Sequence, residues 1–333
     1  MKIIKPSVEL INFSDNIQQI GYAASICYNS DKKGTVAWLA ELWKNGHKSV
    51  FRHGTLYFVI PAVEISTNFL VELQASSYTN TYFDIASKLL FLSTNLQFTE
   101  EHTYFKHLAK YQVSELNFMA EATKCECDHK VRDLLRVTFK IVTQVSTSRE
   151  LNRVSPNNIC EQSTRYCNFS SDKYNGNVVF CQPHWMDCLY DVDTDKTYDY
   201  VIVNKKGRRI FCEYEDKSFF YGVHRDKKEQ SFCAYGWEGT DQIAFVPVVD
   251  MWIKNCLNAE DYYKQALKQG MKPQDARGLL PLDLATTVVY TYSIKEWKHF
   301  IDLRYYGTTG KPHPNAKLIA AMIKSHLDEY KIS

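Results

Sequence analysis

Residues Ser146–Phe169 read STSRELNRVSPNNICEQSTRYCNF, and the rest of the chain is organised around this stretch. It has little apolar periodicity, whereas a surface helix would place its charges opposite an apolar stripe. Its second half ends in the cluster Ser-Thr-Arg-Tyr at 163–166. Hydroxyls, backbone N–H groups and the guanidinium fork of arginine are the groups that hold a phosphate. The stretch therefore favours a phosphate-binding segment, with a solvated loop between two core elements as the alternative.

The composition sets limits on what kind of protein this is. The chain has 333 residues, enough for a large core in one domain or two. Its 40 basic and 38 acidic residues nearly balance, which gives no indication of binding to nucleic acid or to an anionic membrane. No apolar run has the length of a membrane span and no signal peptide is recognisable, so we expect a cytoplasmic protein. The ten cysteines are scattered, which favours reduced thiols over a disulfide framework.

Upstream of the central stretch, residues 1–60 are predicted to form one compact unit. Within it, Gly46–His53 reads GHKSVFRH and leads into a predicted strand, Thr55–Ile60. Polar side chains crowded before a buried strand are typical of the lip of a binding site, with structural capping as the alternative.

Residues 61–136 are predicted to be a mostly helical insertion in a first core segment, 1–167. The apolar spacing predicts helices at Val63–Gln74, Tyr82–Leu92 and Thr99–Thr123. A strand is predicted at Val137–Val145, directly before the central stretch.

Downstream, residues 168–250 alternate short aromatic and valine-rich runs with polar turns, which predicts a β-rich insertion. The segment VNKKGRRIF at 203–211 is typical of a hairpin. The remaining segment, 251–333, is predicted to be helical, with one helix over Met251–Gln269 and another over Thr286–Tyr305.

Two cysteine and histidine groups resemble metal ligands, Cys125-Glu-Cys127-Asp-His129 and Cys181-x2-His184-x3-Cys188. Neither has a second ligand pair at zinc spacing, so we predict no metal site. The signatures GxGxxG, GxxxxGK(S/T), HExxH and GxSxG are all missing from the sequence.

Four segments occur in an order that resembles the flavin-dependent thymidylate synthases, the ThyX family. They are GHKSVFRH, then CEQSTRY at 160–166, DARGLLP at 275–281 and WKHFIDLR at 297–304. The resemblance covers about half of the chain. It implies an α+β subunit with a mixed or antiparallel sheet flanked by helices, here with a β-rich insertion. It also implies a homotetramer whose active sites are shared between subunits.

The same resemblance implies an activity: methylation of dUMP with methylenetetrahydrofolate, using FAD reduced by NAD(P)H and no cysteine nucleophile. A guanidinium, which stays protonated, suits the stabilisation of an ionising uracil ring. By position, Arg304 is expected to face the uracil as the catalytic residue. The other residues expected to bind dUMP are Arg153, Glu161, Ser163, Thr164, Arg165 and Arg277. Those expected to lie at the flavin or folate are His47, Ser49, His53, Arg153, Lys295, His299 and Leu303.

The chain also departs from the family pattern. Where the family has Arg-His-Arg, this sequence has Arg153-Val154-Ser155, and Glu150 stands where a glutamine is usual. Ser293 and Lys295 replace an asparagine and an arginine on the flavin side. These departures and the large insertions suggest a divergent, phage-type member, which would act in the host cytoplasm if phage-encoded. They leave two alternatives: a pyrimidine nucleotide hydroxymethylase on the same scaffold, or a catalytically inactive nucleotide-binding subunit.

Overall fold

The structure is a computed structural model that describes residues 1–13, 15–28, 35–154, 158–169, 171, 176–184, 200–203, 209–212, 232–236 and 243–330. The chain forms two compact units. The larger unit comprises residues 6–163 and 286–333, and the smaller unit comprises residues 1–5 and 164–285.

The described strands and helices are as follows. The strands are β1 Lys2–Ile4, β2 Ser7–Ile11, β3 Thr55–Pro61, β4 Asn80–Asp84, β5 Leu89–Asn95, β6 Gln112–Val113, β7 Arg136–Gln144, β8 Ile159–Glu161, β9 Val179–Cys181, β10 Tyr200–Val203, β11 Arg209–Cys212, β12 Phe232–Gly236, β13 Ile243–Pro247 and β14 Ala285–Ser293. The helices are α1 Asn16–Tyr28, α2 Val36–Lys44, α3 Thr67–Ala75, α4 Leu96–Glu101, α5 Phe105–Leu108, α6 Glu115–Lys124, α7 Asp128–Val131, α8 Val145–Leu151, α9 Val248–Lys268, α10 Pro273–Ala276, α11 Ile294–Ile301 and α12 Pro314–Tyr330.

The larger unit is built on a four-stranded sheet in the order β2-β7-β14-β8. Strand β7 lies inside this sheet and is rich in β-branched residues, which suits a strand buried on both faces. Helix α11 buries Trp297, Phe300 and Ile301, and the indole Nε1 of Trp297 donates to the carbonyl of Val137 at 3.0 Å. A buried indole with a satisfied N–H fixes the helix against the sheet.

A second sheet of the larger unit has the order β4-β5-β3-β6, and it shows that the predicted helix Tyr82–Leu92 was wrong. The segment forms β4, a turn and part of β5. Ser87 donates to the Asp84 carboxylate through both its backbone N–H and its hydroxyl, and Lys88 has φ of 59°. The continuous apolar run of β5 is buried, and such a run suits a buried strand as well as a helix.

Two other helix predictions need correction. The segment Thr286–Tyr305 begins as strand β14 because Thr286–Ser293 is rich in β-branched and aromatic residues, and the helix starts only at Ile294. Ser293 accepts from the backbone N–H of Glu296 while the Glu296 carboxylate accepts from the Ser293 backbone, which is a capping box. The pattern Thr99–Thr123 is divided among α4, α5, β6 and α6.

In the smaller unit, β1 pairs with β9 in parallel, and the ammonium group of Met1 lies 2.6 Å from the carboxylate of Glu260 on α9. The predicted hairpin at 203–211 is confirmed by antiparallel pairing of β10 with β11. Its turn, 204–208, lies outside the described residues, as does much of the predicted insertion 168–250. The predicted domain boundaries therefore stay predictions, while the α+β class with antiparallel sheets and flanking helices is confirmed.

Two further observations concern membranes and metals. The described part of the chain contains no helix of the length and apolarity that a bilayer crossing needs. Over the same residues, no group of three or more metal-ligating side chains comes together. Cys188, the third member of the second cysteine–histidine group, lies outside the described residues.

Candidate active site

Glu161 is the organising residue of the candidate site in the larger unit. It ends strand β8, and its carboxylate accepts hydrogen bonds from three side chains. The hydroxyls of Ser148 and Thr286 lie 2.7 and 3.0 Å from Oε1, and the amide of Asn152 lies 3.3 Å from Oε2. Ser148 lies on α8, Asn152 is the C-terminal cap of α8 and Thr286 lies on β14. Together these donors fix the orientation of the half-buried carboxylate, which is therefore preorganised to accept a hydrogen bond from a ligand.

Asn152 connects the carboxylate to a buried phenol. The hydroxyl of Tyr290 donates to Oδ1 of Asn152 at 2.5 Å, while the amide nitrogen of Asn152 is used by Glu161. Burial raises the pKa of Tyr290 well above its ordinary value, and the charges of Tyr292 and Glu161 raise it further. The phenol therefore stays protonated and acts as a fixed donor in this network.

The charge of Arg304 also acts on Tyr290. It lowers the pKa of the phenol, whereas the charge of Glu161 raises it. Arg304 lies in the π-helical turn Asp302–Tyr306, which follows α11 and closes at Gly307 with φ of 73°. Its Nε is buried and has no hydrogen-bond partner among the described residues. A buried donor left without a partner is costly, and a wide turn of this kind often marks a functional site. Arg304, which is half-buried as a residue, therefore keeps one unused donor.

The smaller unit brings together two of the predicted phosphate-binding arginines. Arg277 donates from Nη1 to the hydroxyl of Thr164 at 2.7 Å, and Arg165 donates from Nε to the Gln274 side chain at 3.3 Å. Both arginines are exposed, and the guanidinium of Arg165 lies 5.3 Å from the ring centre of Tyr166. Two oriented guanidinium groups on one surface suit an anion. Ser163, the next residue toward the N-terminus, belongs to the larger unit, where its N–H donates to the carbonyl of Cys27 at 3.1 Å.

The altered family segment has a structural explanation at two of its positions. Arg153 is exposed and pairs with Glu150 at 3.4 Å, so the unusual glutamate is the partner of the arginine that is kept. Val154 is 1% exposed and packs in the main core, and its carbonyl accepts from the Tyr292 hydroxyl at 3.2 Å. Ser155 lies outside the described residues.

His53, which the resemblance places at the flavin or folate, lies in the core of this structure. The ring is completely buried, with Nδ1 2.9 Å from the hydroxyl of Thr291. Burial lowers the pKa of His53 to about 3, helped by the charges of Arg136 and Arg52, so the imidazole is neutral at physiological pH. Its Nε2 has no partner among the described residues. A buried ring cannot touch a flavin without local rearrangement, so His53 is a core residue of this structure.

The other residues predicted to lie at the flavin are found on the turn before β3, on α11 and on the turn after α11. His47 and Ser49 are exposed at the start of the 3-10 turn that precedes β3, and Lys295 and His299 are exposed four residues apart on α11. Leu303 is half-buried against the main core. Across the described residues, no hydrogen bond or ion pair joins these side chains to Glu161 or Arg304. Their contacts with a flavin stay predictions.

Sequence reasoning missed several members of the site. Ser148, Asn152 and Tyr290 have no signature of their own, and 138 residues separate the last two along the chain. The only available signal was their position beside Arg153 and Glu161 or within a buried strand. Outside this hydrogen-bond network, Asn158 is completely buried, and both atoms of its side-chain amide lack a partner among the described residues.

Comparison with known proteins places the chain in a family. The family model described as "Thymidylate synthase complementing protein", Thy1, matches residues 99–329, more than half of the chain. The chain belongs to the Thy1 family. The match spans α8, β8 and the turn that carries Arg304, so the part of the candidate site built on Glu161 and Arg304 lies within the matched region of this Thy1 chain, whereas His47 and Ser49 precede it.

Two curated relatives agree with the family. A flavin-dependent thymidylate synthase of Pyrococcus abyssi (strain GE5 / Orsay) is 36% identical over 86 residues, covering 23% of this Thy1 chain and 35% of the relative. A probable flavin-dependent thymidylate synthase of Paramecium bursaria Chlorella virus 1 is 36% identical over 53 residues, covering 16% of this chain and 24% of the relative. The matched segments thus span about a third and a quarter of these relatives.

Solved structures similar to the Thy1 chain include a UMP/dUMP methylase, PolB from Streptomyces cacaoi, bound with 5-Br dUMP. It has 13% identity and a TM-score of 0.39, covering 99% of this chain and 93% of that one. The same methylase bound with 5-Br UMP gives a TM-score of 0.38. A TM-score below 0.5 does not establish a shared fold.

Proposed function

We propose that this chain is an FAD-dependent thymidylate synthase, a methyltransferase that converts dUMP to dTMP. Methylenetetrahydrofolate would be the carbon donor and NAD(P)H the reductant. The observation that carries the proposal is the buried, partnerless Nε of Arg304, whose charge acts on Tyr290 together with that of the fixed carboxylate of Glu161. A guanidinium with an open donor and a carboxylate acceptor match the carbonyl and N–H groups of a pyrimidine ring.

In this reaction Arg304 would stabilise the negative charge that forms on uracil as N3 ionises, which makes C5 nucleophilic. An arginine is suited to this role because it remains protonated at any physiological pH. Glu161 would fix the orientation of the ring, held in turn by Ser148, Asn152 and Thr286. No cysteine is needed as a nucleophile, because FAD, when bound, supplies a hydride.

The phosphate of dUMP would bind to Arg165 and Arg277, with hydroxyl contacts from Ser163 and Thr164. The hydrogen bonds to Gln274 and Thr164 orient the two guanidinium groups before a ligand arrives. In the proposed homotetramer each active site is shared between subunits. The groups that bind phosphate and those that bind uracil can therefore come from different copies of the chain.

The residues present fit a flavin in part. Lys295 and His299 are exposed at i and i+4 on α11, so they lie on one helix face and offer donors to a flavin phosphate or carbonyl. His47 and Ser49 offer further exposed polar groups, while the buried ring of His53 does not fit. We propose that the first four would hold FAD, with Arg153 and Leu303 beside them.

The test is conversion of dUMP by the purified chain supplied with FAD, NADPH and methylenetetrahydrofolate, with the product identified by mass. Formation of dTMP is expected, and Arg304→Ala should abolish it while leaving much of the dUMP affinity. Arg132→Ala, which changes an arginine elsewhere in the larger unit, is the matched control. Near-normal turnover of Arg304→Ala would remove Arg304 from the catalytic role.

The same assay separates the alternatives. A product heavier by one oxygen than dTMP would favour the hydroxymethylase. A protein that binds dUMP but shows no flavin absorption band after incubation with FAD would favour the inactive nucleotide-binding subunit. We propose that the protein acts in the cytoplasm, where its substrates are found.

A further inference from the structure

Two cysteines of the larger unit are in contact beside the candidate active site. Cys27 lies in the last turn of α1 and is half-buried, whereas Cys160 lies on β8 and is 3% exposed. Both belong to the same apolar cluster, and their thiols are hydrogen-bonded to each other. Cys160 directly precedes Glu161, the carboxylate that organises the site. None of the roles assigned above uses either thiol.

The edge of β8 fixes the position of Cys27. Strand β8 is the outer strand of its sheet, and the N–H groups along a strand point alternately to its two sides. The Gln162 N–H donates to the carbonyl of Thr287 on β14 at 2.9 Å. The N–H groups on either side of it point the other way: that of Ser163 donates to the Cys27 carbonyl at 3.1 Å, and that of Glu161 donates to the Cys27 sulfur. Backbone groups therefore hold the end of α1, with its thiol, against the strand edge.

The contact between the thiols gives the two cysteines different roles. The hydrogen bond that the Cys160 thiol donates lowers the pKa of Cys27 and outweighs burial, which raises it; the N–H of Glu161 lowers it further, and the charge of Glu161 opposes. The same hydrogen bond, burial and the charge of Cys27 raise the pKa of Cys160, while the charge of Arg52 opposes the rise. The thiolate is the nucleophile in thiol–disulfide exchange. Cys27, which is partly exposed, can therefore attack an external disulfide, whereas the buried Cys160 can attack only a sulfur already attached to Cys27.

We propose that Cys27 and Cys160 form a redox modification site, at which a small soluble disulfide converts the two thiols to an internal disulfide. The Cys27 thiolate attacks one sulfur of the small disulfide, forms a mixed disulfide and expels the first small thiolate. The hydrogen bond to the Cys27 thiolate and its charge are then gone, so Cys160 loses its proton more readily. Cys160 attacks the Cys27 sulfur and expels the second small thiolate. The protein gives up two electrons and two protons, and the small disulfide is reduced to two thiols.

The internal disulfide acts on Glu161. An S–S bond is only about 2.05 Å long, so the two sulfur atoms must move closer together than in their hydrogen-bonded contact. Strand β8 has three residues and is paired on one side, so it yields more easily than the strands inside the sheet. A shift of Cys160 is passed along the backbone to Glu161, whose carboxylate depends on donors from α8 and β14. Oxidation should therefore weaken nucleotide binding, a consequence that rests on the proposed function.

The test is treatment of the whole reduced chain with glutathione disulfide, followed by alkylation of free thiols, proteolysis without reductant and mass spectrometry. A peptide pair joined through Cys27 and Cys160 is expected, and dithiothreitol should separate it. In Cys160→Ala, Cys27 should instead keep a glutathione adduct, because no second thiol displaces it. Cys125→Ala, at another half-buried cysteine, is the matched control and should form the joined pair as the wild type does. Absence of the joined pair from the treated wild type would overturn the proposal, whatever the variants do.

Calorimetric titration with dUMP tests the consequence for Glu161 separately. The oxidised chain is expected to bind dUMP at least about threefold more weakly than the reduced chain, as for the loss of one hydrogen bond, and dithiothreitol should restore the affinity. Cys27→Ala should bind dUMP equally before and after the same treatment. Equal affinities of the oxidised and reduced wild type would disprove the effect on Glu161. If even the reduced chain fails to bind dUMP, the proposed function fails, while the peptide mapping still decides whether the disulfide forms.

Discussion

The buried imidazole of His53 gives a quantitative prediction about stability. Its pKa is lowered from 6.5 to about 3 in the folded chain, by burial first and then by Arg136 and Arg52. Above pH 6.5 the ring is neutral in both folded and unfolded chains, so it makes no contribution to the pH dependence. Between pH 6.5 and about 3, the unfolded chain binds a proton that the folded chain excludes, so stability is lost as the pH falls. The expected slope is about 1.4 kcal/mol per pH unit, or about 2 kcal/mol between pH 6.5 and 5.

The assay is urea unfolding at a series of pH values between 7 and 4, for the wild-type chain and for His53→Gln. Glutamine keeps a polar group beside Thr291 but cannot titrate. Below pH 6.5, the free energy of unfolding of the variant should therefore fall less steeply with pH than that of the wild type, by about 1.4 kcal/mol per pH unit. His107→Gln, at an exposed position, is the matched control and should keep the wild-type slope. If His53→Gln and the wild type lose stability in parallel below pH 6, the imidazole is protonated in the folded chain and the reasoning from burial is refuted.

Three further substitutions test the candidate site and its support. Asn152→Ala leaves the buried Tyr290 hydroxyl without its acceptor and removes one of the three donors to Glu161, so urea unfolding should show a loss of about 1–3 kcal/mol, and dTMP formation should fall with it; unchanged stability would mean that these two hydrogen bonds are not formed in solution. Arg165→Ala should weaken dUMP binding by about 2 kcal/mol in calorimetry, whereas Lys272→Ala should not, and equal affinities would move the phosphate site elsewhere. Ser293→Ala removes the cap of α11 and should cost about 1 kcal/mol in thermal unfolding; no loss would contradict the capping box.

Local signals in the sequence were enough to predict several elements. The hairpin β10–β11 follows from a Lys-Lys-Gly turn between two β-rich runs, and β7 from its run of β-branched residues. The order of four short segments was enough to indicate the family. In each case the information lies within a few neighbouring residues, which is where single-sequence patterns are informative.

The rest depended on contacts between distant parts of the chain. The Leu89–Leu92 run fits a helix or a buried strand equally well, and pairing with β3 and β4 decides between them. His53 resembles a site residue in sequence, but Thr291, 238 residues away, holds it in the core. The donors around Glu161 are likewise ordinary Ser, Thr and Asn residues that only the fold brings to one carboxylate.

The burial of Val154 limits which side chains this position can hold. The position that is histidine in the ThyX pattern now holds an aliphatic side chain at 1% exposure, packed among apolar neighbours. Restoring an imidazole there would insert extra volume and an unsatisfied polar group into a close-packed interior, each of which destabilises a fold. Val154→His alone is therefore expected to destabilise the fold, and a histidine at this position requires that the neighbouring apolar residues change as well.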